Sequence, residues 1–320
     1  MNKYKKLIRL IKKSKSIALF IHKNPDGDAV GSSSGLFCCL KNAGKNVHLY
    51  SADKLSKKFD IFETKDQYKQ VNEGDKYDLG IIIDCSGIDR VGEVSSILND
   101  CKTIVRVDHH LADEKLSEFD IVEPKTSSAC EVVLKLIISG KFDIDEKVAS
   151  YVLYGLLTDT FAFQNQNTNQ QSLNLAAFLV GKGANISELA FNAFRITNKT
   201  ETNVRKLFYN NIKFESENQI AYSVMNYEEL KEIGATKNDV GGESNLLTNI
   251  DSVKVGAVFC EYEKGIIDAS IRSKHGPSAC EIAKKFGGGG HKNAAGFTVE
   301  MEISEVIKKF IEECNKEIAK

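Results

Sequence analysis

Four short apolar runs recur through the first third of the chain, most of them ending on a polar or acidic residue. They are Ile17-Ala18-Leu19-Phe20-Ile21, a run over 46–51, Leu79-Gly80-Ile81-Ile82-Ile83 and Thr103-Ile104-Val105-Arg106-Val107. Runs of this length and β-branched content predict strands buried on both faces, as in a parallel sheet. Helical periodicity predicts helices over roughly 30–43, 92–99, 127–139, 145–158 and 170–182, so strands and helices alternate as in βαβ units. Ser127 or Ser128 is the expected cap of the third helix, with Glu131 completing a capping box. Gly181-Lys182-Gly183 ends the last helix with C-cap chemistry.

The texture changes past residue 185. A polar helical pattern over 186–210 predicts a connection between domains. Strands are then expected over 212–216, 219–225, 253–262, 265–273 and 295–299, with Glu263-Lys264-Gly265 turning the third into the fourth. Helices are expected over 238–249, 278–286 and 303–319. The predicted fold class is α/β. An N-terminal domain over 1–185 carries a largely parallel sheet flanked by helices. A smaller α/β domain over 211–320 carries a mixed, mostly antiparallel sheet.

Bulk composition agrees with two globular domains: 320 residues, 42% hydrophobic and 27% charged. No apolar stretch approaches the ~20 residues of a membrane span. The lysine-interrupted N-terminus lacks a signal-peptide core. A cytoplasmic protein with no membrane partner is therefore expected. The eight cysteines show no C-x-x-C spacing and fall inside apolar patterns, which reads as buried thiols rather than a zinc site. With 43 basic and 44 acidic residues the chain lacks the positive excess used to grip long duplex nucleic acid.

Candidate chemistry lies just beyond the apolar runs. His22, Asp26 and Asp28 follow the first, with Gly27 letting the backbone turn. Gly31-Ser32-Ser33 then opens a helix whose free N–H groups suit an anion. Asp84 closes the third run, Asp108-His109-His110 ends the fourth, and Asp159 ends a helical pattern. Singly, these residues read as an Asx turn, a strand-end cap, a surface turn and a helix cap. Together they place imidazoles and carboxylates at the carboxyl edge of one sheet, where ligand crevices form. Buried charges there need a partner, and a divalent metal is the simplest. Mixed His and carboxylate ligands favour a first-row transition ion over Mg²⁺. Two ions bridged by one carboxylate, ~3.5–4 Å apart, are the arrangement that activates water for phosphoryl hydrolysis.

The second unusual segment is Gly287-Gly288-Gly289-Gly290-His291-Lys292-Asn293-Ala294-Ala295-Gly296. Consecutive glycines expose backbone N–H groups for close approach to a phosphate or base. Their position between a helix and a strand argues against a flexible linker. His291 reads either as a phosphate donor or as a structural histidine. Arg272-Ser273-Lys274-His275 reads either as a solvated charge cluster or as a phosphate clamp, Arg being suited to bidentate binding.

These residues resemble the motifs of the DHH phosphoesterase superfamily. The 22–28 loop is similar to its first motif, Asp84 to its second, Asp108-His109-His110 to its third and Asp159 to its fourth. The segments at 272–273 and 287–296 resemble the associated C-terminal domain, and the motifs span 22–296. Length and layout are most similar to the bacterial bifunctional oligoribonuclease/PAP phosphatase (nanoRNase) family. The resemblance implies two Mn²⁺ ions, for which other divalent transition metals can substitute. His22 and Asp26 would hold one ion and Asp28, His109 and Asp159 the other, with Asp84 bridging. Asp108 would orient a histidine, and His110 would face the substrate phosphate. Arg272, Ser273, Gly288, Gly289, Gly290, His291 and Asn293 would bind nucleotide.

The activity so implied is Mn²⁺-dependent hydrolysis of very short RNA to mononucleotides and of 3'-phosphoadenosine 5'-phosphate (PAP) to AMP, by a monomer or homodimer. The alternative is a phosphodiesterase for linear dinucleotides from cyclic dinucleotide signalling. A non-catalytic nucleotide-binding protein is the reading from another class, and the intact ligand set argues against it. One departure stands out: Phe161-Ala162-Phe163 follows Asp159-Thr160 where the family usually has glycine.

Overall fold

Six strands form the first sheet, β1 Ser16–Phe20, β2 Asn46–Tyr50, β3 Tyr68–Lys69, β4 Leu79–Ile83, β5 Ile104–Asp108 and β6 Ile121–Val122, in the order β3-β2-β1-β4-β5-β6. Every pairing is parallel. This computed structural model describes residues 3–71, 74–111 and 114–320. The chain divides into two compact units, Met1–Ile196 and Thr197–Lys320.

Side-chain alternation explains the unbroken apolar runs. Ile17 and Leu19 of β1 and Leu79, Ile81 and Ile83 of β4 pack into the core on one face. Ala18, Phe20 and Ile82 enter a second core on the other. Helices α1 Lys3–Lys13, α2 Gly27–Asn42, α3 Ala129–Gly140, α4 Glu146–Asp159, α5 Gln170–Val180 and α6 Ile186–Phe194 complete the unit, and all six contribute to the larger core.

The second unit holds α7 Lys199–Asn210, β7 Ile212–Glu215, β8 Ile220–Met225, α8 Tyr227–Glu232, α9 Glu243–Thr248, β9 Val255–Glu263, β10 Ile266–Ser273, α10 Ala279–Lys284, β11 Gly289–His291, β12 Ala294–Glu300 and α11 Ile303–Ile318. Its sheet runs β11-β12-β10-β9-β8-β7. It is antiparallel except for the β8–β9 pair. Both faces are again covered, by α10 and α11 on one side and α7, α8 and α9 on the other.

Five local expectations are corrected or sharpened. The segment expected as a helix over 92–99 is a 3₁₀ stretch over Ile88–Asp100, broken at Gly92 (φ 75°, ψ −150°). The helix expected over 238–249 is split, because Gly242 adopts φ 89° just before α9. The glycine segment is partly a strand, since Gly289–His291 pairs with β12. Ser128 does cap α3, but the Glu131 carboxylate accepts from the amide and hydroxyl of Ser127, not from Ser128. At the end of α5 the left-handed residue is Gly183 (φ 103°), while Gly181 stays helical. All eight cysteines are free thiols, and no helix among the described residues is long and apolar enough to cross a membrane.

Candidate metal centre

Strand order reverses between β1 and β4, and the crevice of an open α/β sheet lies at the carboxyl ends of such a pair. His22 follows β1 and Asp84 follows β4 directly, so both belong to this edge. His22 Nδ1 lies 2.8 Å from the Lys23 carbonyl, which can only accept. Nδ1 therefore carries the hydrogen, and Nε2 is turned toward Asp84 Oδ2 (3.7 Å) and Asp26 Oδ1 (3.9 Å).

Helix α2 opens at Gly27, a turn before the expected Gly31-Ser32-Ser33, because Asp26 caps it by accepting from the amides of Asp28 and Ala29. Asp28 is only 2% exposed and accepts from the amides of Ala129 (2.6 Å) and Cys130 (2.9 Å) at the start of α3. It is thereby fixed 3.8 Å from His109 Nε2. His109 Nε2 also faces Asp84 Oδ1 (3.6 Å) and Asp159 Oδ2 (3.7 Å).

Asp159 ends α4, and close packing of α2 on α4 brings it to Asp28. Gly27, Gly31 and Gly35 form one stripe along α2, four residues apart. A Cβ on Gly31 would stand 2.6 Å from the Tyr151 carbonyl, and one on Gly27 2.3 Å from Thr158 Oγ1. Asn167, a residue the sequence reading passed over, ties the Asp159 carbonyl to that of Ser127 through its side-chain amide. Phe161, Ala162 and Phe163 turn the chain after α4 with three successive positive φ values of 48°, 52° and 65°. The half-exposed Phe161 ring rests edge-on against Phe194.

Ligand atoms converge into three groups, each within 4.8 Å: His22, Asp26 and Asp84; Asp28, His109 and Asp159; and Asp84, His109 and His110. The two oxygens of Asp84 face different groups, Oδ2 toward His22 and Oδ1 toward His109 and His110. Asp108 does not touch the cluster in the same way. Its Oδ1 accepts from the His109 and His110 amides and bonds His110 Nδ1 at 2.9 Å.

Electrostatics show what this cluster lacks. Burial, then Asp84, Asp159 and Asp26, push Asp28 well above the usual carboxylate range. Burial, Asp84 and Asp26 raise Asp159 to about 7. Burial opposes charge on His22, yet Asp84 and Asp26 outweigh it and raise the imidazole. Asp108 raises His110. Among the described residues no lysine or arginine pairs with these carboxylates, and the buried Asp84 Oδ1 has no hydrogen-bond partner. Hard oxygens and imidazole nitrogens in need of positive charge fit divalent transition metal.

The other expected residues lie in the second unit. Arg272 Nε donates to Asn245 Oδ1 (2.9 Å), and its Nη1 to the Ile271 carbonyl (3.0 Å) and Ser270 Oγ (3.4 Å). Ser273 is buried, its amide donating to the Asn293 carbonyl and its hydroxyl to that of Lys292. Gly288 is required by packing, since a Cβ there would meet the Gly296 carbonyl at 2.2 Å. Gly290 adopts φ 142°, and Gly289, Gly290, His291 and Asn293 are exposed.

Residues 16–156 match the DHH family, N-terminal domain, and residues 217–320 match the DHHA1 domain. Across 97% of its length the chain is 30% identical to a bifunctional oligoribonuclease and PAP phosphatase NrnA of Mycoplasma genitalium, covering 96% of that protein. The chain belongs to the DHH family. As a DHH protein it is a metal-dependent hydrolase of phosphoester bonds. The NrnA of Bacillus subtilis is 26% identical, with 92% of each chain covered. The crystal structure of an exopolyphosphatase-related protein from Bacteroides fragilis has the same fold, with a TM-score of 0.92 at 23% identity, covering 98% of this chain and 96% of that one.

Proposed function

We propose that this DHH protein uses two Mn²⁺ ions to hydrolyse very short oligoribonucleotides to mononucleotides and to remove the 3'-phosphate of 3'-phosphoadenosine 5'-phosphate. The observation that carries the reading is Asp84, whose two oxygens each face a separate group of ligand atoms. His22 and Asp26 would hold one ion, Asp28, His109 and Asp159 the other, and Asp84 both. The pair supplies Lewis acidity to an attacking water and to the phosphate oxygens.

The chain's own residues do the rest. Asp108 fixes the His110 ring by the 2.9 Å bond to Nδ1, leaving the opposite nitrogen to serve substrate phosphate. Arg272 supplies a planar cation for a second phosphate. The whole-length similarity to proteins named oligoribonuclease and PAP phosphatase supports the substrate class. Near-neutral net charge agrees with substrates that offer few phosphates.

The test is a set of Mn²⁺-dependent turnover rates on dinucleotides, pentanucleotides, longer RNA and PAP, with Asp84→Ala alongside. Short RNA and PAP are expected to lead, and the variant to keep less than about one-hundredth of the rate, in keeping with the ~10²–10³-fold cost of losing one charge-stabilising group. No Mn²⁺-dependent turnover of any short nucleotide would overturn the reading. A dinucleotide-only profile would replace it with the narrower phosphodiesterase.

A further inference from the structure

Helix α4 closes with the paired hydrogen bonds of a Schellman turn. The Phe161 amide donates to the Thr158 carbonyl (3.2 Å) and the Ala162 amide to that of Leu157 (2.8 Å). This pairing puts Phe161 (φ 48°) at the left-handed position that glycine fills without cost. An aromatic residue there is strained, and the two residues after it are left-handed as well. Packing does not account for its side chain. Ala162 and Phe163 pack against the larger core, while Phe161 stands outside it. Its ring is 52% exposed and meets Phe194 at 78°, with 5.3 Å between centroids.

The strained ring stands beside the candidate metal centre. Phe161 follows Asp159 by two residues, so their Cα atoms are at most ~7 Å apart. The turn also folds back on that residue, with the Asn165 side-chain amide donating to the Asp159 carbonyl (3.0 Å). Asp159 is the most open member of its ligand group, its side chain 27% exposed against 14% for His109 and 2% for Asp28. That group therefore meets solvent at the residue from which the turn leaves.

We propose that Phe161, braced by Phe194, is a stacking platform for a nucleobase of the bound substrate, at the rim of the group formed by Asp28, His109 and Asp159. A flat ring with half its surface open suits stacking, and it accepts any base because each has a π-face. Such a platform sets no base preference, in agreement with both the adenine of PAP and short RNA of mixed sequence. A phosphate held in the ligand group brings its own base within one nucleoside of the ring. The strain is then explained by the side chain that it displays, since glycine would relieve it and offer nothing to stack on. The inference rests on the nucleotide reading given under Proposed function, and it names what holds the base.

Binding of AMP and of base-less ribose 5-phosphate to the full chain is measured by calorimetry with Mn²⁺ present, for the wild type and for Phe161→Gly. Glycine suits the left-handed position, so this variant keeps the turn. Losing one stacked base costs roughly fivefold to a hundredfold in affinity. The affinity ratio of AMP to ribose 5-phosphate should accordingly fall at least about fivefold in Phe161→Gly. The chain contains no tryptophan, so Phe161→Trp installs a single reporter. Its fluorescence should be quenched by AMP and not by ribose 5-phosphate, with the affinity ratio kept. A ratio that does not fall in Phe161→Gly overturns the inference. Fluorescence of Phe161→Trp that responds alike to both ligands, or to neither, overturns it independently of the glycine variant. Sedimentation of wild type and Phe161→Gly covers the rival use of an exposed ring. A dimer that the variant dissociates, with an unchanged ratio, makes Phe161 a contact between copies of the chain and overturns the platform. Mn²⁺-dependent turnover of PAP by the wild type is run in parallel. Its absence sinks the phosphoesterase substrate reading, while the affinity ratio and the quenching still decide the platform.

Discussion

Asp84 combines two features that a protein optimised for stability alone would avoid. Its backbone is left-handed (φ 56°), and its buried Oδ1 lacks a hydrogen-bond partner. A left-handed residue other than glycine costs roughly 1–2 kcal/mol. Asp84 also disfavours ionisation of Asp28 and Asp159 nearby. Both costs are borne because one carboxylate has to face both ligand groups. Asp84→Gly removes the strain and the repulsion together, while losing contacts to His22 and His110. The metal-free variant is expected to gain about 1 kcal/mol in urea unfolding and to lose turnover. A variant less stable than the wild type would show that Asp84 is held by something other than its chemistry. Asp84 could be named as a candidate ligand from its place after an apolar run, but its strain could not, since no residue-type signal marks it.

At the scale of elements, α2 carries three glycines that each cost helix stability, roughly 1 kcal/mol apiece relative to alanine. They are retained because α4 lies directly against them. At Gly31 the obstruction is backbone, the Tyr151 carbonyl at 2.6 Å and the Gly155 nitrogen at 2.9 Å. At Gly35 it is one methyl of the Val152 side chain at 2.6 Å, with no backbone atom closer than 3.7 Å. Gly31→Ala is therefore expected to cost about 1–3 kcal/mol, and to weaken metal affinity by parting Asp28 from Asp159. Gly35→Ala should cost less and leave metal affinity near the wild-type value. Equal effects in both would remove the glycine stripe as the device that sets the site. The strand-end candidate ligands were legible because a buried parallel strand has an unmistakable pattern and the crevice position follows from it. The stripe was legible only as small residues, and its meaning depends on α4, more than a hundred residues away. The anchoring of Asp28 on the amides of Ala129 and Cys130 is hidden for the same reason. Two-residue strands such as β3 and β6 are too short to show any period, and Gly92 and Gly242 broke helices that the apolar spacing alone had suggested.

For the molecule as a whole, the ligand groups all belong to the first unit, so metal and pH act on stability through that unit's core. Asp28 and Asp159 are raised above their unfolded values, Asp159 to about 7. A carboxylic acid raised on folding binds more protons in the native state than in the unfolded one. The metal-free protein should accordingly lose stability as pH rises from about 4 through about 7, the reverse of the usual carboxylate case. Raised His22 and His110 extend the loss upward, since they too hold protons more tightly when folded. Divalent metal competes with those protons and needs the deprotonated ligands. Its stabilisation, about 2.7 kcal/mol at a hundredfold excess over Kd, should thus be largest above pH 7 and shrink toward pH 5. Melting temperatures with Mn²⁺ and with chelator, measured from pH 5 to 8, should diverge as pH rises. A gap that stays constant across that range would mean that the raised carboxylates are not the groups the metal displaces protons from.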